Sequence, residues 1–174
     1  MGLIFFGFFF VFLNFEIPLG AGVLNVMPAF LGYLLVLLGC GRIDDGAPRF
    51  LRIRAFSVLL AVISLGITVL NAIPVSLGNV VPLLLNLLSV GGALYVAYEI
   101  VAHVKEKERE RGRSLGGSDL TSAWFLLALG NLLSIFAGYM ESMALLCLAL
   151  QLLSIAWYQA ALYRAWQKIE PRKK

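Results

Sequence analysis

No positive charge stands in the first 41 residues of this chain, and no charge of either sign stands between residues 55 and 98. Only 14% of the 174 residues are charged, against about 25% in an ordinary soluble domain. With 60% apolar residues and a mean hydropathy of +0.88, a soluble protein of this size could not hide its apolar surface. The solvent is therefore mostly lipid, and the length suits one polytopic membrane domain, 1–174.

Other absences exclude chemistry. One histidine rules out a multi-histidine metal centre. Two cysteines, Cys40 and Cys147, far apart and in no Cys-x-x-Cys, leave disulfide exchange without residues. Both read as small apolar side chains. There is no Gly-x-Ser-x-Gly elbow, no His-Glu-x-x-His pair and no phosphate-binding loop. "DDGAPR", residues 44–49, resembles the start of the aspartate motif of membrane phosphatidyltransferases. Segment 54–73 lacks the later acids, so Asp44, Asp45 and Gly46 read as a turn. The sequence thus predicts no catalytic residue, metal or cofactor, and a lipid-modifying enzyme is the third of three functional readings.

What is present is ordered. The fourteen Lys and Arg fall in three clusters: Arg42 to Arg54, Lys105 to Arg113, and Arg164 to Lys174. Six apolar segments separate or flank them, near 2–19, 24–41, 54–73, 79–103, 119–138 and 142–165. Each approaches the length of about 20 residues that a transmembrane helix needs. Strict alternation is missing, so a transmembrane barrel is excluded. Six spans with both termini cytoplasmic put every positive charge on one side. The expected fold is an all-α integral membrane bundle of three helical hairpins in the plasma membrane. Its cytoplasmic loops are 42–53 and 104–118, and its cytoplasmic tail is 166–174. The N-terminal run lacks the basic region of a signal peptide, so it is expected to stay as a span. Trp124, Tyr163 and Trp166 suit the inner interface. A pI of about 9.3 comes from these loops and implies no nucleic-acid partner. The clusters can also touch anionic lipid head groups.

In the second cytoplasmic loop, "KEKERERGR" offers i,i+3 pairs: Lys105 with Glu108, Glu106 with Arg109, Lys107 with Glu110. They extend the fourth segment as a solvated helix. Gly116 and Gly117 break it, and Ser118 is the expected N-cap of the next helix.

The polar interruption "LNFEIPLGAGVLNVMP", residues 13–28, has an echo in "LNAIPVSLGNVVP", residues 70–82. Asn14 answers to Asn71, Pro18 to Pro74, Asn25 to Asn79, Pro28 to Pro82. A weaker third echo, "LGNLLSIFAGYMES", carries Asn131 and Glu141. Pro18 and Pro74 would end ascending helices. Asn25 and Asn79 would cap descending ones. A repeat of three like-oriented hairpins follows if the echo is structural.

Glu16 is not explained by turn-making. As part of a helix it would lie about 22 Å up a hydrocarbon core about 30 Å thick, with no Lys or Arg on that side. Either it reaches the outer head groups, or it joins Asn14, Asn25, Asn71 and Asn79 in an outward-facing polar site for a cation, a proton or a polar solute. Deeper, Glu99 and His103 stand one turn apart. Asn86, Asn131, Gln151 and Gln159 suit interhelical hydrogen bonds. Ser89, Ala93 and Ala97, beside Gly92, form a small-residue stripe for close packing, inside this chain or against another.

"FFGFFFVFLNFEI" followed by "MPAFLGYLLVLLG" resembles a group of small six-span membrane proteins of Clostridium-like Gram-positive bacteria, over roughly the first 55 residues. The resemblance implies the fold and carries no functional residue. The span count, length and cytoplasmic termini also look like the substrate-binding subunits of energy-coupling-factor transporters. Those carry an Ala-x-x-x-Ala type docking stripe on their first helix. Segment 1 here is too bulky for it. The favoured function is a small-solute binding or transport component. The alternative is a non-catalytic subunit that packs against another membrane protein or its own copy.

Overall fold

The computed structural model describes residues 2–13, 16–19, 22–25, 28–43, 48–72, 80–137 and 144–169. Six helices and two strands run in the order α1 (Gly2–Phe12), β1 (Glu16–Leu19), β2 (Gly22–Asn25), α2 (Ala29–Ile43), α3 (Pro48–Ala72), α4 (Val80–Arg111), α5 (Gly117–Ala137) and α6 (Ala144–Ile169). The chain forms two compact units, Met1–Val96 and Ala97–Lys174, whose boundary falls inside α4.

Four helices are long and apolar enough to cross a bilayer: those containing Arg49–Val69, Leu83–Arg111, Gly117–Ile135 and Leu145–Ile169. Their surfaces fit lipid. Leu51, Leu146 and Leu145 are among the many large apolar side chains left exposed. The expected spans 54–73, 119–138 and 142–165 fall on α3, α5 and α6. The span 79–103 falls on α4, which continues to Arg111 as the charge pairs predicted. Of the expected loop 42–53, residues 42–43 belong to α2 and 48–53 to α3, which starts at Pro48, a residue suited to a first turn; residues 44–47 lie outside the described residues. Loop 104–118 shrinks to 112–116, and α6 continues three residues past the expected start of the tail, to Ile169.

The first hairpin departs from expectation. Helix α1 stops at Phe12 after 11 residues, and α2 has 15. Residues 16–25 do not finish two helices. They form an antiparallel strand pair in which Glu16 faces Asn25, Ile17 Leu24, Pro18 Val23, and Leu19 Gly22. The fold is all-α, with this short strand pair set between its first two helices. Pro18 does not end α1; it lies within β1. Asn25 does not cap α2; it ends β2. Pro28 takes the capping position instead, its carbonyl accepting from the Leu31 N–H at 3.1 Å. Of the residues in the echo with 70–82, Asn71 lies in the last turn of α3 and Pro82 in the first turn of α4, while Asn14, Pro74 and Asn79 lie outside the described residues. The two hairpins, with helices of 11 and 15 residues against 25 and 32, are not copies of one another.

Backbone contact closes the first hairpin. A Cβ on Gly7 would lie 2.7 Å from the Gly32 carbonyl oxygen, and one on Gly32 would lie 2.5 Å from that of Gly7. One turn or more inward, a Cβ on Gly39 would meet Ile4 Cγ1 at 2.6 Å. Around these contacts Ile4, Phe8, Tyr33, Val36 and Cys40 are buried. Helix α3 packs on α2, and β2 lies against α3. Gly92 of α4 seats Leu60 of α3, and Phe56 packs at a tilt on Tyr95, their centroids 4.6 Å apart.

The second unit closes differently. Gly130 of α5 sits against Ser154 and Gln151 of α6. Asn131 Nδ2 donates to Leu127 O at 2.9 Å, and Gln151 Nε2 reaches Asn131 Oδ1 at 3.5 Å. Tyr158, fully buried, donates its hydroxyl to Ala97 O at 3.2 Å.

Candidate functional site

The outward site expected from the sequence falls on the tip of the first hairpin. Asn14 and Asn79 lie outside the described residues. Glu16 and Asn25 are direct cross-strand partners. Asn71 stands in the last turn of α3, the helix against which β2 packs. Of the five expected residues, the strand register pairs Glu16 with Asn25.

Lengths give this tip its meaning. Eleven helical residues rise about 16 Å, roughly half of a hydrocarbon core about 30 Å thick. Four strand residues add about 13 Å. The chain runs as helix to Phe12 and as paired strand from Glu16. Irregular backbone at membrane depth is tolerated only where protein buries it or where it lines a polar cavity.

Pro18 has no N–H to give β2, so Pro18–Val23 is a non-hydrogen-bonded pair of the ladder, and by alternation so is Glu16–Asn25. This register also turns the main-chain groups of residues 16 and 18 toward the outer edge of β1.

No protein-family model matches the sequence, and comparison with curated proteins and with solved structures gives no match.

The second polar set lies in α4, α5 and α6. Glu99 and His103, 4% exposed each, are buried one turn apart, and neither is without a partner. Asn131 and Gln151 make the interhelical contact expected of them. Asn86 is exposed. Gln159 is 6% exposed, and neither of its amide atoms has a hydrogen-bond partner among the described residues.

The small-residue stripe is occupied from within. Ala93 and Ala97 are 3% and 0% exposed. Ser89 is half-buried, beside the buried Tyr33 hydroxyl without a well-formed hydrogen bond to it. Among the described residues, no three of His, Cys, Asp and Glu group to hold a metal ion.

Sequence reasoning missed Glu108. The charge run does form one of its expected pairs, Lys107 Nζ to Glu110 Oε2 at 3.1 Å. Glu108, however, caps α5. Its Oε1 accepts from the N–H groups of Leu115, Gly116 and Gly117 at 2.6, 2.8 and 3.0 Å. Helix α5 begins at Gly117, so Ser118 is not its N-cap but part of its first turn. Gly112 (φ 59°) and Gly116 (φ 97°) supply the left-handed turns that return the chain. A side chain at Gly117 would collide with the Glu108 carboxylate. Burial pushes the Glu108 carboxyl up, but the three N–H donors and the nearby Lys168 ammonium outweigh it and hold it below the ordinary glutamate range. Arg111 Nη1 donates to Ile169 O at 3.3 Å, tying the end of α6 to the end of α4.

Proposed function

We propose that this chain is a plasma-membrane protein of six crossings with both termini cytoplasmic, acting as a small-solute binding or transport component through a polar site at the outer tip of its first hairpin. The carrying observation is the break in that hairpin. Two helices too short to span alone give way to paired strands in which Glu16 faces Asn25. Short, Pro- or Gly-interrupted spans mark binding sites in transporters, because unwound backbone offers polar groups at membrane depth.

The contacts of α1 support the orientation. Ile4 meets Gly39, three residues before Arg42, so the start of α1 belongs at the basic, cytoplasmic end of α2. Basic residues at the start of α3 and at the ends of α4 and α6 support the same threading. The competing interaction subunit loses its strongest feature, since Ala93 and Ala97 are buried within the chain.

Cysteine substitution at residue 16 tests the reading. In sealed, right-side-out vesicles, a membrane-impermeant maleimide is expected to label Glu16→Cys from outside and to spare the buried Cys40 and Cys147 of the unsubstituted protein. Labelling only after permeabilisation would overturn it.

A further inference from the structure

We propose that the basic end of α6 binds one anionic phospholipid, its phosphate held by Arg164 and Lys168 and an acyl chain laid along Ala160, Trp157 and Leu153. The inference needs α6 to lie across a bilayer, which its length and composition allow. It is independent of the site at the first hairpin.

Three observations converge. The first is depth. From Ala144 to Tyr163, α6 carries no charged residue. That run rises about 30 Å, the thickness of a hydrocarbon core. Arg164 follows at once, and Lys168 stands about 6 Å further along the axis. These are the levels of the hydrocarbon edge and of the lipid phosphates. Tyr163 and Trp166, their ring centroids 5.8 Å apart, flank Arg164 as interfacial aromatic residues do.

The second is unspent charge. Arg164 and Lys168 are both exposed and stand at i,i+4 on one face, where like charges repel. The Arg164 guanidinium gives its Nε–H to Ala160 O at 3.3 Å. Its approach to Asp119, Nη1 to Oδ2 at 3.8 Å, is too long for a hydrogen bond. Glu108 lies near Lys168 but already accepts three N–H groups. Residues 105–119 together with Arg164 and Lys168 hold seven Lys or Arg against four Asp or Glu, so the acids at this end leave it positive. A phosphate suits what remains: the Arg fork offers it N–H donors in a plane, and Lys offers it a point charge.

The third is the surface below. Leu153, Trp157, Ala160 and Arg164 recur at helical spacing on one face, and all four are exposed. The bond from Nε to Ala160 O lays the Arg164 side chain back toward this surface. An acyl chain descending from the bound phosphate meets Ala160, Trp157 and Leu153 in turn. Free phosphate or an acidic peptide would use the charges and leave the apolar face unused.

The test uses the full chain with Trp124 and Trp166 replaced by Phe, so that Trp157 is the single tryptophan. In phosphatidylcholine bilayers it is titrated with phosphatidylglycerol brominated on its acyl chains and, in parallel, with brominated phosphatidylcholine. Quenching of Trp157 reports occupancy. Phosphatidylglycerol is expected to associate about fivefold more strongly. R164Q/K168Q should lose that preference. K107Q/R109Q, which removes the same charge from the end of α4, should keep it. No preference in the unsubstituted site, a preference unchanged in R164Q/K168Q, or an equal loss in K107Q/R109Q overturns the proposal. If R164Q/K168Q does not fold, a preference undiminished in both R164Q and K168Q overturns it. Loss of the preference on adding millimolar inorganic phosphate would give the site to a soluble anion and overturn the lipid as its occupant.

Discussion

The first and last hairpins solve the same problem by opposite means. In α1–α2 the helices are short, glycine brings backbone onto backbone, and the outer part of the hairpin is built from strands. In α5–α6 the helices have 21 and 26 residues and can cross alone. Their contact is made by side chains: Ser154 on Gly130, Gln151 on Asn131. A hairpin closed by backbone contact tolerates no added atom at its crossing points. A hairpin closed by polar side chains tolerates substitution, because each bond contributes little: about 0.6 kcal/mol on average for such contacts in membranes.

That contrast can be broken most sharply at Gly32. Gly32→Val would drive a side chain into the Gly7 carbonyl, and helix separation should cost about 3 kcal/mol or more. Loss of the folded fraction during thermal unfolding in mild detergent measures it. The control is Gly91→Ala, where nothing lies within 4 Å of the added carbon. Replacing a helical glycine there should stabilise by up to about 1 kcal/mol. Equal loss at both positions would show that backbone contact does not close the first hairpin.

A smaller effect is expected at the cytoplasmic end of the second unit. Glu108→Gln keeps the shape but removes the charge from the α5 cap, and should cost about 1–2 kcal/mol. Hydrogen exchange of the Leu115, Gly116 and Gly117 amides should quicken, while exchange in α1 and α2 stays unchanged. The pH dependence has a definite sign. The carboxyl is held below its unfolded value, so its contribution is complete above the ordinary glutamate pKa of about 4.3. It is lost as pH falls through the lower folded value. Acid titration should therefore destabilise wild type more than E108Q.

The Asn131→Ala exchange should cost still less, about 0.6–1.7 kcal/mol, with the α5–α6 contact retained. Gln159→Leu is expected to be neutral or mildly stabilising, because its buried amide has no partner to lose. A large loss at Gln159 would show that the amide holds a bound group, and would move attention from the first hairpin to the last.

Much of this architecture is legible in the chain. Four long apolar runs, basic clusters at alternate ends and the glycine break at Gly112–Gly117 mark α3 to α6 within a few residues. In the stripe read through Ser89, Ala93 and Ala97, the two alanines are buried. The first hairpin was harder because its strands are four residues long and lie inside apolar runs. Period two cannot declare itself over four residues. The available signal was the two-residue Gly20–Ala21 between "EIPL" and "GVLN". Pro18 looked like a helix stop because proline stops helices, yet α1 had ended six residues earlier. The cap from Glu108 was hidden for another reason. Pattern reading sets a charge against its i,i+3 or i,i+4 neighbour, whereas Glu108 serves residues seven to nine positions on, across a turn that only the folded glycines create. Gly7 and Gly32 were visible as residues, but their approach depends on the pairing of two helices.

Pro18 has one further consequence. The free edge of a two-stranded ribbon is a template on which another chain can add a strand, and in a crowded membrane the neighbouring chain is often a second copy. A ladder growing on β1 would need an N–H from residue 18, and proline has none. The rung is missing in the middle of a four-residue strand, so too few consecutive bonds remain to seat a third. The residue that takes a donor from this edge also keeps neighbouring molecules from joining into a continuous sheet.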